Sequence, residues 1–363
     1  MKLRLVSTAE LPAFVASKHY QQATQVPITP LRAISQSNNP RAEADDVVLV
    51  IAEDAAGQLL SYIGCLPDRL AAAPDTKVCW CSCWWSDSEL GQSAAIPVFH
   101  KMLELWEGKM LFDALPPHSI AILERLKFVD FIPMKGRQYN LRFKLAQALP
   151  NRFAGFANFR GPLRLTDQLL NFFQDRRLSQ HQDRSVELQL MDLSSMDEAT
   201  QQFIHQHNQK ELIGRQAGDL KWILQHPWVD EREKGEGPFS EKYFFTAHAE
   251  QYFSCLLQVR KGAQIIAVLL LTCRDGVVRS PYVYFDEPFN QLLAEVVLQL
   301  LVEWKANAFI CFHSQLNEAL QQTSFAFLHQ KEITKVFGIP KQLAVHLENH
   351  PHIQDGDGDV AFT

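Results

Sequence analysis

Residues 77–128 read KVCWCSCWWSDSELGQSAAIPVFHKMLELWEGKMLFDALPPHSIAILERLKF, and the rest of the architecture follows from how they fold. Val78 to Trp85 is a run of β-formers and predicts a strand. Ser86 to Ser93 is a polar turn with one glycine, Gly91. Ala94 to Trp106 predicts an apolar helix, Met110 to Leu115 a short strand, and Ser119 to Lys127 a second helix ending at Phe128. A helix that starts just past a glycine turn offers amide hydrogens that nothing in the helix accepts. That end favours an anion by about 0.3–1 kcal/mol, so Gly91, Gln92, Ser93 and Ala94 are the candidate phosphate ligands, through backbone amides.

Upstream, Leu3 to Val6 predicts a strand, and Thr8, Glu10, Leu11 and Phe14 the start of a helix. Thr24 to Ala44 holds three prolines and reads as loop with one helical turn. Asp46 to Glu53 and Leu59 to Leu66 predict a hairpin about Gly57, and Phe131 to Phe143 closes this half as one or two strands. Asn151 to Arg184 changes character and reads as a connection containing one helix, Thr166 to Phe173.

The order of elements then recurs. Val186 to Met191 predicts a strand, Ser195 to His207 a helix and Asp219 to Gln225 a helical piece. Tyr252 to Arg260 and Ile265 to Cys273 pair about Gly262, and Val277 to Phe285 follows as a third strand. Phe289 to Lys305 is a long helix with Leu292, Leu293, Val296, Val297, Leu300, Leu301 and Trp304 at helical spacing. Phe309 to His313 and Leu316 to Gln321 complete the series. Residue identity between the halves is poor, yet the order matches, which predicts a structural duplication. The expected domains are 1–150 and 186–363, joined by 151–185.

The repeated unit resembles the GNAT superfamily of acyl-CoA-dependent N-acyltransferases. Its final helix, Ile122-Leu123-Glu124-Arg125-Leu126-Lys127-Phe128, is similar to that family's Leu-Tyr-Glu-Lys-Leu-Gly-Phe ending. Ser88 to Ser93 answers to the family's turn, Gln/Arg-x-x-Gly-x-Gly/Ala, with Gly91 matching and Ser88 replacing the leading Gln/Arg. Leu123 stands where the family has a tyrosine acid, and Pro116 where it has an asparagine. The resemblance implies a mixed α+β fold of two GNAT-like domains. Each would have a mostly antiparallel sheet flanked by helices, with one splayed parallel strand pair. It also implies acetyl-CoA or another acyl-CoA as cosubstrate, with transfer to the amine of a small molecule or sugar. In the second half the helix is preceded by Asp286 and Glu287, which would repel a pyrophosphate, so that half reads as a degenerate copy. Tyr284, Asp286 and His313, at its strand ends, are the catalytic candidates, with Asp87, Glu89 and Asp113 behind them. A catalytically inactive binding or scaffold protein is a second reading, and an aminoacyl transferase of the Fem type a third.

The totals set limits. The chain has 363 residues, 47% hydrophobic and 21% charged, with a net charge of −6. The acidic balance and the lack of a basic stretch argue against nucleic acid as main partner. The longest apolar run, Ile265 to Leu271, is too short to span a bilayer. The N-terminus lacks the features of a signal peptide. Seven cysteines without framework spacing suggest reduced thiols and a cytoplasmic location. Cys79, Cys81 and Cys83 read as one face of a strand rather than a metal set. Asp355, Asp357 and Asp359 read as a solvated tail or a turn back onto the protein, not as a calcium loop. No metal site is expected, and the sequence leaves the oligomeric state open.

Overall fold

The computed structural model describes residues 1–89, 91–113, 115, 117–178, 187–190, 196–231, 242–245, 247–347 and 351–363. Leu90, Pro116, Val186, Met191 and Ser195 of the expected elements lie outside these. The first elements are β1 (Lys2–Ser7), α1 (Leu11–Ala16), α2 (Lys18–Gln22), α3 (Pro30–Ser37), β2 (Val47–Glu53), β3 (Leu59–Arg69) and β4 (Lys77–Ser86). Then come α4 (Gln92–Leu105), β5 (Met110–Phe112), α5 (Pro117–Leu126), β6 (Val129–Asn140), α6 (Leu145–Arg152), α7 (Arg160–Leu178), β7 (Glu187–Leu190), α8 (Glu198–His207) and α9 (Ala217–Gln225). The chain continues through β8 (Asp230–Glu231), β9 (His248–Ala249), β10 (Tyr252–Lys261), β11 (Gln264–Arg274), β12 (Val277–Phe285), α10 (Asn290–Glu303), β13 (Ala308–Cys311), α11 (Ser314–Gln322) and β14 (His329–Pro340).

These elements form two compact units that interleave the sequence. One comprises Met1–Met134, Asp192–Tyr252 and Lys335–Thr363, the other Lys135–Met191 and Phe253–Thr334. The contact units therefore do not follow the expected boundaries at 150 and 186, because β6 and β14 each begin in one unit and end in the other.

In the first unit the strand order is β1-β2-β3-β4-β5-β14. The pairs from β1 to β4 are antiparallel, β4 and β5 are parallel, and Gly338 of β14 pairs with Phe112 antiparallel. Both faces are covered. Leu49 and Ile51 pack with α1–α3, while Val50 and Ala52 pack with Val98, Phe99 and Met102 of α4. This double burial is why β2 is an unbroken apolar run rather than an alternating one. The polar anchor of this unit is Asp68, which accepts from Arg41, Arg215 and Trp80. Arg41 also holds Asp219 and the carbonyls of Ile213 and Gly214, fixing the segment before α9.

In the second unit the order is β6-β13-β12-β11-β10-β7, with β12 and β13 parallel. α10 buries Leu293, Val296, Val297, Leu300 and Leu301 against this sheet, each worth about 1.5–3 kcal/mol. The two units have matching helices: α4 and α10 both have 14 residues, starting at Gln92 and Asn290. Each parallel pair is three residues long, Cys79–Cys81 on Met110–Phe112 and Val277–Arg279 on Ala308–Ile310.

Several expectations change. Pro30–Ser37 is a full helix, with Thr29 as its cap and Pro30 in its first turn. The connection holds one α-helix, as expected, but α7 runs for 19 residues, Arg160–Leu178, rather than Thr166 to Phe173, and α6 precedes it at Leu145–Arg152. β5 stops at Phe112 rather than Leu115. Of the two expected forms of the acidic C-terminal stretch, the turn back onto the protein is the one found: Asp355, Asp357, Ala361 and Phe362 are buried.

Candidate active site

β4 is paired with β3 along its whole length, from Lys77 to Ser86, but with β5 only at Cys79, Trp80 and Cys81. The cause is a bulge. On β3, Gly64 and Cys65 are consecutive, yet their partners are Cys83 and Cys81, so Ser82 is an extra residue. An extra residue bends a strand and raises its twist, which turns it away from a parallel neighbour. The same device recurs in the second unit, where Leu270 faces Tyr282 and Thr272 faces Arg279, leaving Ser280 and Pro281 opposite Leu271. The bulge also corrects the reading of the cysteines. Cys79 packs with α4 and Cys83 with α1–α3, on opposite faces, so the three are not one set. Burial pushes all three thiols up, which disfavours thiolate chemistry.

Beyond the bulge, Ser82 to Ser86 present one edge with no strand partner among the described residues. At about 3.3 Å per residue the edge is roughly 16 Å long, with main-chain donors and acceptors along it. It runs directly into the turn before α4.

That turn is tightly built. Asp87 N–H donates to Leu60 O at 2.9 Å and Gly91 N–H to Asp87 O at 3.1 Å. Ala94 and Ala95 both donate to Gly91 O. A Cβ on Gly91 would lie 2.1 Å from Leu60 O and 2.5 Å from Asp87 N, so glycine is required by close backbone approach. Its φ of −92° is ordinary for any residue. Of the four expected phosphate ligands, Gly91 and Ala94 thus have their amides bonded within the turn. The correction follows from helix geometry, since the turn preceding the helix already uses two of the first donors. Gln92 opens α4, but its contacts lie outside those described; the Ser93 amide has no backbone partner among the described residues and remains the candidate anion donor.

Where β4 and β5 part, Ser82 and Asp113 are the first residues past the last pair, and both are polar. Ser82 Oγ donates to Asp359 Oδ2 at 2.8 Å and accepts from Arg32, which also donates to the Tyr243 hydroxyl at 2.8 Å and lies 4.2 Å over the Trp228 ring. Asp113 pairs with Lys335 Nζ at 2.8 Å, and Lys335 reaches Asp355 O at 3.0 Å. Gly358, at φ +90°, sits over Asp113: a Cβ there would be 3.0 Å from Oδ2. Burial pushes the Asp113 carboxyl up to about 7, against the pull of Lys335, with Asp359 and Asp355 adding to the rise. Sequence reasoning placed Asp113 behind other candidates and did not find Lys335, because their meeting depends on strand β14.

On the α1–α2 side of the same unit lies a cleft of about 580 Å³ lined by His19, Tyr20, Glu53, Gln58, Trp85 and Asp87 among others. His19 Nε2 is 3.2 Å from Glu53 Oε1. The lining includes no lysine or arginine among the described residues.

The candidates Tyr284, Asp286 and His313 lie in the second unit. Tyr284 is buried, its ring 6.5 Å from that of Tyr282. Asp286 accepts from Gln264 at 3.3 Å and precedes the helical turn leading into α10. His313 caps α11, and its ring lies 5.1 Å from that of Phe285. The structure therefore brings the end of β12 and the start of α11 together. No helix among the described residues is long and apolar enough to cross a membrane.

No family model matches the sequence, and no curated protein sequence does. Solved structures do match. A probable N-acyltransferase from Enterococcus faecalis aligns with 96% of this chain and 74% of its own at TM-score 0.54 and 10% identity. N-myristoyltransferase of Saccharomyces cerevisiae, with bound myristoyl-CoA, aligns with 99% of this chain and 87% of its own at TM-score 0.52 and 11% identity. A GCN5-related N-acetyltransferase from Kribbella flavida aligns with 93% of this chain and 71% of its own at TM-score 0.48 and 8% identity. The chain shares the fold of the first two of these, with its splayed strand pair and the helix after it.

Proposed function

We propose that the chain transfers an acyl group, acetyl in the simplest case, from an acyl-CoA thioester to the amine of a small molecule. The observation that carries this reading is the open edge of Ser82–Ser86 running into the glycine turn before α4, where the Ser93 amide has no backbone partner among the described residues. The pantetheine arm of CoA is extended and carries two amides, so it can add to that edge as a strand would. Its pyrophosphate then meets the start of α4. In the second unit Glu287 is exposed just before α10, with Asp286 beside it, so donor binding is assigned to the first unit alone.

The acceptor is assigned to the cleft beside Trp85. Glu53, which lines the cleft beside His19, favours a cationic amine over an acidic one. The amine nitrogen attacks the thioester carbonyl, the C–S bond breaks, and the thiolate leaves, taking up the second proton that the nitrogen sheds as the amide forms. One proton must leave the attacking ammonium first. His19, held by Glu53, is the base this cleft offers, and we place it ahead of Asp286, His313 and Tyr284 because it shares a unit with the donor edge.

Titration with acetyl-CoA while following thermal stability tests donor binding; saturation at 100 times the dissociation constant adds about 2.7 kcal/mol. Release of free CoA thiol with a diamine such as 1,4-diaminobutane tests transfer. No stabilisation at millimolar acetyl-CoA sinks the proposal. A second reading, binding without turnover, is favoured by Leu123, which is 1% exposed where GNAT enzymes have their tyrosine acid. It predicts stabilisation by acetyl-CoA with no thiol release for any amine.

A further inference from the structure

α7 is amphipathic in the reverse of the usual sense. Its inward face is largely polar. Asp167 accepts from the Leu145 and Ala146 amides at 2.7 and 2.9 Å. Asn171 exchanges two hydrogen bonds with Phe143, and Gln174 donates to Ala326 O at 2.9 Å. These positions recur at helical spacing and end on the buried Leu178. The opposite face is apolar and exposed: Leu165 is 68% exposed, Leu169 60%, Phe172 56% and Phe173 60%. Just before α7, Phe153, Phe156 and Phe159 are exposed as well. Seven of the sixteen large apolar side chains exposed among the described residues thus fall within residues 153–173. Scattered exposed apolar groups need no explanation; a contiguous set on one helix does.

The charge around this face selects its partner. Residues 152–178 hold five arginines, at 152, 160, 164, 176 and 177, and two aspartates. Both aspartates are turned to the protein: Asp167 caps α6 and Asp175 pairs with Arg142 at 2.7 Å. All five arginines are exposed, and Arg152 and Arg176 lie 5.5 and 5.6 Å from the rings of Phe153 and Phe172. A second copy of the same face would set arginines against arginines. A bilayer with acidic headgroups offers what the face lacks, apolar depth under the phenylalanines and anions for the guanidiniums around them.

We propose that residues 152–177 form a membrane-surface binding face, α7 lying in the interface plane of an anionic bilayer with Leu165, Leu169, Phe172 and Phe173 inserted. This holds whether or not the acyl transfer proposed above does, and it concerns peripheral attachment rather than a span.

The test is flotation of the full chain with two sets of vesicles, phosphatidylcholine alone and phosphatidylcholine with phosphatidylglycerol. Binding should be at least roughly tenfold tighter to the anionic vesicles, and should weaken as salt screens the arginines. The Phe172→Ser/Phe173→Ser double variant should lose binding, and the Arg160→Gln/Arg164→Gln variant should lose the preference for phosphatidylglycerol. The substituted side chains are exposed, so circular dichroism melts should match the parent chain. Absence of binding to either vesicle, equal binding to both, or binding untouched by the phenylalanine variant overturns the proposal. So does a stable dimer in sedimentation that the same variant converts to monomer.

Discussion

Replacing Gly91 by alanine should destabilise the chain and weaken acyl-CoA binding together. The backbone at Gly91 is α-like, φ −92° and ψ −8°, a conformation alanine adopts freely. At such a position Gly→Ala ordinarily stabilises by about 0.4–1 kcal/mol, through the unfolded chain. Here the added Cβ lies 2.1 Å from Leu60 O and 2.5 Å from Asp87 N, both backbone atoms that cannot rotate away. The turn must retreat by about 1 Å, which strains or breaks the Asp87–Leu60 and Gly91–Asp87 hydrogen bonds, each worth about 1 kcal/mol. Overpacking adds about 1–3 kcal/mol. The expected net loss is therefore about 2–4 kcal/mol, read from urea unfolding. The same retreat moves the start of α4 and the Ser93 amide, so the dissociation constant for acetyl-CoA in calorimetry should rise roughly tenfold or more. Gly155 is the control, since nothing lies within 4 Å of a Cβ built there, and Gly155→Ala should stay within about 0.5 kcal/mol. A Gly91→Ala chain as stable as the parent would refute the packing argument. A destabilised chain with unchanged acetyl-CoA affinity would place the donor elsewhere.

Arg41→Met should cost about 3–5 kcal/mol in chemical denaturation, because Asp219 loses its ion pair and Asp68 keeps only one of two while both stay buried. Stability should fall as pH rises from about 5 to 8.5. Asp357, Asp113 and Glu211 are raised by burial to about 6, 7 and 8, so their protonated forms favour the fold until pH passes those values. Asp219, lowered by Arg41 against the cost of its own burial, acts oppositely and only in acid, below about pH 4. Melting temperatures across this range check the sign, and Asp113→Asn should flatten the profile near pH 7. Glu53→Gln should weaken 1,4-diaminobutane binding several-fold while leaving acetyl-CoA affinity unchanged; equal affinity in parent and variant would remove the cleft from the mechanism.

The elements most legible in the sequence were those whose signals are local. The hairpins about Gly57 and Gly262 needed a left-handed residue, and both glycines have positive φ. The apolar spacing of α10 was plain because one face meets the core. The bulge at Ser82 was hidden, since Cys-Trp-Cys-Ser-Cys-Trp keeps its alternation on paper while one extra residue flips the faces. The full length of α7 is hidden in the sequence because its inward face is largely polar, the opposite of what hydrophobic periodicity detects. The cluster at the strand splay was illegible for another reason. Ser82, Asp113, Lys335 and Asp359 are local to nothing, and the acidic C-terminal residues look solvated unless Arg32 and Lys335 are known to meet them.

The same cluster argues against cutting the chain where composition suggests. A fragment of residues 1–150 would retain β1 to β5 but lose Asp192–Tyr252 and Lys335–Thr363, which belong to the same compact unit. Asp113 would lose Lys335, Arg32 would lose Tyr243 and Asp359, and Asp68 would lose Arg215. The Trp80 face would lose Phe337, whose ring packs edge-on at 5.9 Å. Removing one partner of a buried charge costs about 3–5 kcal/mol, and three such losses, about 9–15 kcal/mol, are comparable to the 5–15 kcal/mol that holds a typical domain together. The fragment should therefore show no cooperative thermal transition and a collapsed amide proton spectrum. A dispersed spectrum with a sharp transition would mean that the unit is organised by its first five strands alone, and that the returning strand β14 and the segment after it are accessories rather than part of its core.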